Sequence, residues 1–369
     1  MAENLYDILC ARGFLAQCTE TPAAMRERLQ LPVTAYAGFD PTADSFHVGS
    51  LVPIMALYWV QHCGHRPLAV VGGATGLVGD PSFKNDARKM LSVEEIEANV
   101  RALGAQLGRL LRFDGSPSGA VLLNNADWLG NLNWIELLRT VGPHFGVNRM
   151  LSMDSVKGRM EAGGMTFLEF NYMVMQAYDF MHLRRSHGCT LQCGGQDQWG
   201  NIVMGIELCR RLDAVEVSGL TFPLVTKADG TKFGKSEKGN VWLSASRTSP
   251  YEFYQFWRNV ADADVHRFLG YFTTLPMGEV DSLARPGAGD INLAKERLAF
   301  EVTRLLHGPQ AAEGARADSR RAFGASQDLS GESIPHGELT ASEAAQGVGV
   351  LTLLVRAGLA GTNSEARRS

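Results

Sequence analysis

The sequence predicts an α/β protein: a doubly wound parallel sheet first, then an all-helical domain. Two observations carry this. Up to about Lys238, short apolar runs ending near glycine alternate with longer helical runs, the pattern of parallel strands joined by right-handed helical crossovers. Beyond Lys238 the strand signals fade and helical segments follow one another. Length agrees, since 369 residues at roughly 150 residues per domain give two or three domains.

The elements follow in order. Residues 33–38 are a short β-capable run, 40–46 a loop, and 48–62 an apolar helical run that stops at Gly64. Residues 67–71 are a compact strand running into Gly72 and Gly73, which completes a βαβ unit. Ser92-Val93-Glu94-Glu95 is a capping box that opens a helix to about Leu111. A strand at 120–123 precedes a helix at 134–140. Residues 189–193 and 222–226 read as later strands, with a helix from about Gln198 to Leu212 between them. Then come helices at 250–259, 264–272, 292–306 and 311–323. The expected division is therefore 1–238 for the α/β domain, 239–323 for the helical domain and 324–349 for a Gly-, Ser- and Glu-rich linker. Residues 350–369 are too few to form a domain.

Composition narrows the classes. A hydrophobic share of 45% with 20% charged residues fits a globular chain and excludes a disordered one, a rod or a collagen. No run approaches the ~20 apolar residues of a membrane span. The charge balance, 35 basic against 39 acidic, argues against a uniformly basic coat for nucleic acid but leaves room for a local patch. Cys10, Cys18, Cys63, Cys189, Cys193 and Cys209 make no C-x-x-C pair, so reduced thiols are expected and a zinc site is not. Glu3 and Asp7 break up the N-terminus, so neither a signal nor a transit peptide fits and the expected location is the cytoplasm.

Four stretches carry chemistry. The loop from Gly38 to Ser50, GFDPTADSFHVGS, lies between a strand and the helix after it, where unpaired N–H groups favour phosphate. Gly49 lets a nucleotide approach the backbone, and Thr42 and His47 can donate to phosphate oxygens; the alternative is a structural βα turn. Lys232-Phe233-Gly234-Lys235-Ser236 suits a lid on pyrophosphate, or is a solvated basic loop. Lys84 and Arg88 are further positive charge for that leaving group, or plain surface charge. Tyr172, Gln176 and Asp179 fall at i, i+4 and i+7 in an otherwise apolar helix, which makes either a solvated stripe or a buried polar pocket. Gly194-Gly195-Gln196-Asp197-Gln198-Trp199-Gly200-Asn201 marks a strand-to-helix junction, where Asp197 accepts from a ribose or caps the helix.

Together these strings resemble the bacterial tyrosyl-tRNA synthetases, which are class I aminoacyl-tRNA synthetases with a Rossmann-like catalytic domain. Residues 38–50 look like the family's "HIGH" signature and 232–236 like its "KMSKS" signature. GGATGLVGD at 72–80, the helix with Tyr172–Phe180 and GGQDQWGN match in order and spacing, and the likeness runs from Leu5 to Arg368.

The resemblance implies roles. Tyr36 and Asp179 hold the phenolic hydroxyl of bound tyrosine; Asp80, Tyr172 and Gln176 hold its ammonium group. Thr42 and His47 bind the γ-phosphate of ATP, and Lys84, Arg88, Lys232, Lys235 and Ser236 stabilise departing pyrophosphate. Gly38, Asp40, Gly49, Ser50, Gly195, Asp197, Gln198 and Lys235 line the ATP and adenylate site. Magnesium arrives with ATP, and no protein-bound metal or organic cofactor is implied. The partners are tyrosine, ATP and tRNA(Tyr), not DNA or a membrane, in a homodimer whose surface lies near 134–145. RNA contacts fall to Lys157, Arg210 and Arg211, with Arg159 and Arg184-Arg185 as further basic positions, each of which is otherwise surface charge. The signature's second histidine is Ser50 here, and the family's C-terminal RNA-binding domain would only be starting at residue 350. Two other readings compete: a tryptophanyl relative, whose indole has no hydroxyl for Tyr36 and Asp179, and a non-catalytic RNA- or nucleotide-binding paralogue.

Overall fold

A computed structural model describes residues 3–82, 91–161, 163–226, 233–236, 239–285, 287, 289–323, 338–357 and 360–368. Its centre is a six-stranded sheet in the order β1-β6-β5-β2-β3-β4. The strands are β1 (Gln17–Cys18), β2 (Thr34–Phe39), β3 (Arg66–Val71), β4 (Val121–Asn124), β5 (Cys189–Gly195) and β6 (Ser218–Phe222). Strands β2 to β6 are parallel, and only β1 runs antiparallel, against β6. The chain builds outward from β2 through β3 to β4, then crosses to the other side of β2 for β5 and β6. That reversal opens a crevice at the carboxyl ends of β2 and β5, where such sheets bind ligands.

The alternation of side chains along β2 divides the core. Ala35 and Ala37 join a core shared with Leu51, Phe253 and Trp257. Tyr36 points the other way, into a core with Met173, Phe180 and Leu208. The helix Leu51–His62 is apolar nearly all round because it lies between β3 and the helix Val265–Phe272. The helix Phe167–His187 begins at a Thr166–Glu169 capping box and ends at Gly188, whose φ of 65° suits glycine. It packs along the helix Trp199–Asp213 on the second core.

One strand differs from its expected place. The run 222–226 is not a strand; β6 is Ser218–Phe222, every residue of it buried. Pro223 has no N–H to donate, so the ladder ends there. The polar Ser218 and Thr221 are tolerated inside because they pair with Glu20 and Gln17. The Ser92–Glu95 capping box is present, but the helix it opens, Val93–Leu107, ends at Gly108 rather than Leu111.

After the hairpin β7 (Lys235–Ser236) with β8 (Gly239–Asn240), the chain is helical: Pro250–Arg258, Val265–Phe272, Met277–Ala284, Ile291–His307 and Pro309–Phe323. Phe253, Trp257, Phe268 and Phe272 interlock there, and Phe233 of the lysine loop inserts among them, stacked on Phe272 at 5.7 Å. Within the stretch read as linker, Thr340 and Glu343 cap a helix, Ala341–Gln346, and 324–337 lie outside the described residues. No helix among the described residues is long and apolar enough to cross a membrane.

Candidate active site

A cleft of 360 Å³ occupies the crevice between β2 and β5. The structure brings to it Tyr36, Gly38, Asp40, Thr42, His47, Gly49, Ser50, Asp80, Tyr172, Gln176, Asp179, Gly195, Asp197 and Gln198. Lys84, Arg88 and Lys232 lie outside the described residues, and Lys235 and Ser236 are described only as backbone of β7.

At the inner end, Tyr36 from β2 meets Asp179 from the helix Phe167–His187. The Tyr36 hydroxyl is buried and has no hydrogen-bond partner among the described residues. Burial, and then the nearby Asp179 charge, push its phenol well above the usual range. Asp179 accepts from Trp128 Nε1 at 2.7 Å and from Asn125 Nδ2 at 3.0 Å. Burial still raises its carboxyl to about 7 against those two bonds. Asn125 is itself fixed: its Nδ2 also donates to Thr75 Oγ1 at 2.9 Å, and its Oδ1 accepts from the Ala74 N–H at 2.9 Å. A buried hydroxyl lacking a partner beside a carboxylate is costly unless a ligand supplies the missing group. A hydroxyl that both accepts and donates fits there.

Further out the cleft is acidic. Gln198 Nε2 bridges Asp80 Oδ2 at 2.6 Å and Asp197 Oδ2 at 3.1 Å. Burial, and then the charge of Asp40, raise Asp80 to about 6. Burial also raises Asp197. Asn201 Nδ2 ties Gln176 Oε1 at 3.0 Å to Gln198 Oε1 at 3.2 Å, so the two glutamines are held as a unit. Acids this crowded favour a cationic ligand group such as an ammonium.

At the mouth, His47 Nδ1 accepts the Gly49 N–H at 3.0 Å. Burial lowers the His47 pKa, so the ring is neutral near pH 7 and its proton sits on Nε2. A Cβ on Gly49 would stand 2.7 Å from His47 Cε1, so this turn requires glycine. Gly234, at φ 96°, lies against Val48 and the Gly49 N–H, and brings the lysine loop to the histidine loop. Ser50 is half-buried in the wall and makes no cap bond.

The basic candidates lie elsewhere. Arg210 and Arg211 share Glu207, at 3.1 and 3.2 Å, and Arg211 also donates to the His144 carbonyl. Arg159 pairs with Glu169 at 3.0 Å and Arg185 with Asp213 at 2.6 Å, while Lys157 is exposed.

Sequence reading missed Asn125, Trp128 and Gln192. Gln192 lines the cleft with a buried Oε1 that has no partner among the described residues. A glutamine inside the apolar run Cys189–Cys193 was the available signal, since a buried strand carries a polar side chain only for a partner.

The fold and cleft define a doubly wound nucleotide-binding protein with an amino-acid-sized polar pocket at its switch point. The chain belongs to the class I tRNA synthetases for tryptophan and tyrosine, whose family model matches residues 28–324. It is 50% identical to a tyrosine–tRNA ligase of Rhizobium meliloti, over 98% of this chain and 86% of that protein. It is 49% identical to one of Roseobacter denitrificans, with the same coverage. A C-terminally truncated mitochondrial tyrosyl-tRNA synthetase of Aspergillus nidulans has a similar structure. Its TM-score is 0.79 at 30% identity, over 87% of this chain and 94% of that one.

Proposed function

We infer that this chain is a tyrosine–tRNA ligase. It joins L-tyrosine to ATP as tyrosyl-adenylate with release of pyrophosphate, then transfers the tyrosyl group to the 3′-terminal adenosine of tRNA(Tyr). The observation that carries the choice of tyrosine is the buried Tyr36 hydroxyl, without a partner among the described residues, beside Asp179. A substrate phenol accepts from Tyr36 and donates to Asp179. Indole cannot do both, and phenylalanine leaves the Tyr36 hydroxyl unpaired, at about 1–3 kcal/mol, and gives Asp179 no donor beyond Trp128 and Asn125.

The reaction needs no enzyme nucleophile. The tyrosine carboxylate attacks the α-phosphorus of ATP and the bond to pyrophosphate breaks, so the protein's work is alignment and charge stabilisation. Asp80, Tyr172 and Gln176 orient the ammonium group. Thr42 and His47 Nε2–H reach the γ-phosphate, while Gly38, Asp40, Gly49, Ser50, Gly195, Asp197 and Gln198 seat the nucleotide. Lys84, Arg88, Lys232, Lys235 and Ser236 take up the charge of departing pyrophosphate, and magnesium arrives on ATP. In the second step the terminal ribose hydroxyl attacks the mixed anhydride and AMP leaves.

Lys157, Arg210 and Arg211 contact the tRNA in this reading. Two copies pair through the exposed Trp134, Ile135 and Leu138 with Phe167 and Leu168, a patch in which Trp134 and Phe167 touch edge to face at 6.3 Å. The work is done in the cytoplasm. Charging of a tRNA(Tyr) transcript with labelled tyrosine tests the whole reading. Tyrosine esterified to the RNA is the expected product, and folded protein that charges nothing contradicts it.

A further inference from the structure

The segment after β8 straps the histidine loop. Val48 N–H donates to the Val241 carbonyl at 3.0 Å, Leu243 N–H to the Phe46 carbonyl at 2.8 Å, and Ser244 N–H to Ser45 Oγ at 3.1 Å. His47 and Trp242 form an antiparallel bridge between these bonds. Their rings meet edge to face, centroids 6.4 Å apart at 72°. Trp242 does not line the cleft. Its other contacts lead outward: its backbone N–H donates to Thr248 Oγ1 at 3.0 Å, and the Arg247 guanidinium lies 4.6 Å from its ring centre. Arg247 is in turn held by Asp44 at 2.5 Å, on the same loop as His47.

We propose that Trp242 is a positioning residue for His47, with Arg247 and Asp44 closing the ring of contacts that holds it. The Gly49 N–H fixes which His47 nitrogen carries the proton, but one bond leaves the imidazole free to tilt about its axis. The indole edge removes that freedom, so Nε2–H stays aimed into the cleft. The strap also begins at the lysine hairpin, because Val241 N–H donates to the Gly234 carbonyl at 3.0 Å. One segment therefore sets the aim of the histidine and anchors the loop that carries Lys235. This rests on the reading of His47 as a phosphate donor in tyrosine activation.

The test is tyrosine-dependent pyrophosphate–ATP exchange in Trp242→Leu, Trp242→Phe, Arg247→Met, His47→Ala and the double variant His47→Ala/Trp242→Leu. His47→Ala must itself slow exchange; if it does not, the reading of His47 fails and the proposal falls with it. Given that loss, Trp242→Leu lowers kcat about fivefold while the KM for tyrosine stays within about twofold. Trp242→Phe restores most of the rate, and Trp242→Leu adds little on top of His47→Ala, because the two act as one unit. If His47→Ala slows exchange but Trp242→Leu leaves kcat unchanged, or its effect adds in full, the proposal is overturned. Equal loss in Trp242→Leu and Trp242→Phe overturns it too. Should Trp242→Leu not fold, Arg247→Met decides at the surface: a lower kcat at unchanged tyrosine KM supports the proposal, and an unchanged kcat overturns it.

Discussion

Trp128 donates its indole N–H to Asp179 Oδ1 at 2.7 Å from a different element of the chain, and the back of that indole stacks on His182 at 4.5 Å and 12°. The carboxylate that faces Tyr36 is thus aimed by a tryptophan, itself wedged by a histidine one turn further along the Asp179 helix. Trp128→Phe keeps the stacking surface and removes the N–H. A hydrogen bond to a charged group is worth about 1.5 kcal/mol or more. The tyrosine KM in pyrophosphate exchange therefore rises roughly tenfold while kcat changes little. Steady-state kinetics over a tyrosine series checks this; an unchanged KM contradicts it.

In the proposed site, Asp179 and Asp80 set the pH response of tyrosine binding. Both carboxyls are raised by burial, to about 7 and about 6. In that reading each takes part in binding as the anion, so affinity reaches its full value only well above pH 7 and falls as pH drops through 7 and then 6. The sign for stability of the ligand-free protein is opposite. A raised carboxyl means the folded state holds more protons, so these two contributions are complete below the ordinary carboxylate range and are lost as pH rises through 6 to 7. Equilibrium dialysis of labelled tyrosine between pH 5 and 8 measures the first effect, and Asp179→Asn removes its upper limb.

The proposed function gives Lys235 a different part of the reaction. A charge that meets pyrophosphate mainly as it departs stabilises the transition state more than bound tyrosine. Lys235→Ala is expected to lower the exchange rate roughly a hundredfold with tyrosine Kd within about twofold. Rate and dialysis on the same preparation separate the two. A loss of tyrosine affinity equal to the loss of rate contradicts this role.

Arg12 joins the N-terminal segment to the helical part. Its guanidinium is buried, donates to the carbonyls of Gly270, Thr273 and Leu275 at 3.0, 3.0 and 2.6 Å, and lies 3.9 Å from the Trp59 ring centre. Burial lowers its pKa to about 10, which leaves it charged at neutral pH. Arg12→Ala strands three carbonyls and costs about 3 kcal/mol or more. Thermal unfolding is expected several degrees lower, with exchange at 25 °C retained.

The sequence made the centre of the sheet legible and left its edges obscure. Strands β2, β3 and β5 are largely apolar runs with glycine inside or next to their carboxyl ends (Gly38, Gly72 and Gly195), so composition alone marks them. Strand β1 is two residues long with a glutamine in it, and exists only because β6 offers a ladder. The strand expected at 222–226 lies instead at Ser218–Phe222, where the polar Ser218 is tolerated because it pairs with Glu20 from the far end of the sequence. The same contrast holds in the cleft. Tyr172, Gln176 and Asp179 share a helical face that spacing reveals. Asn125 and Trp128 reach Asp179 from 54 and 51 positions away in sequence, a juxtaposition no local pattern encodes.

The claim that the pocket is built for a phenol is tested most directly by pyrophosphate–ATP exchange without tRNA, run separately with tyrosine, tryptophan and phenylalanine. The account predicts exchange with tyrosine and almost none with the other two, and a narrower gap between tyrosine and phenylalanine in Tyr36→Phe. Exchange driven by tryptophan, or none with any of the three by folded protein, would contradict it.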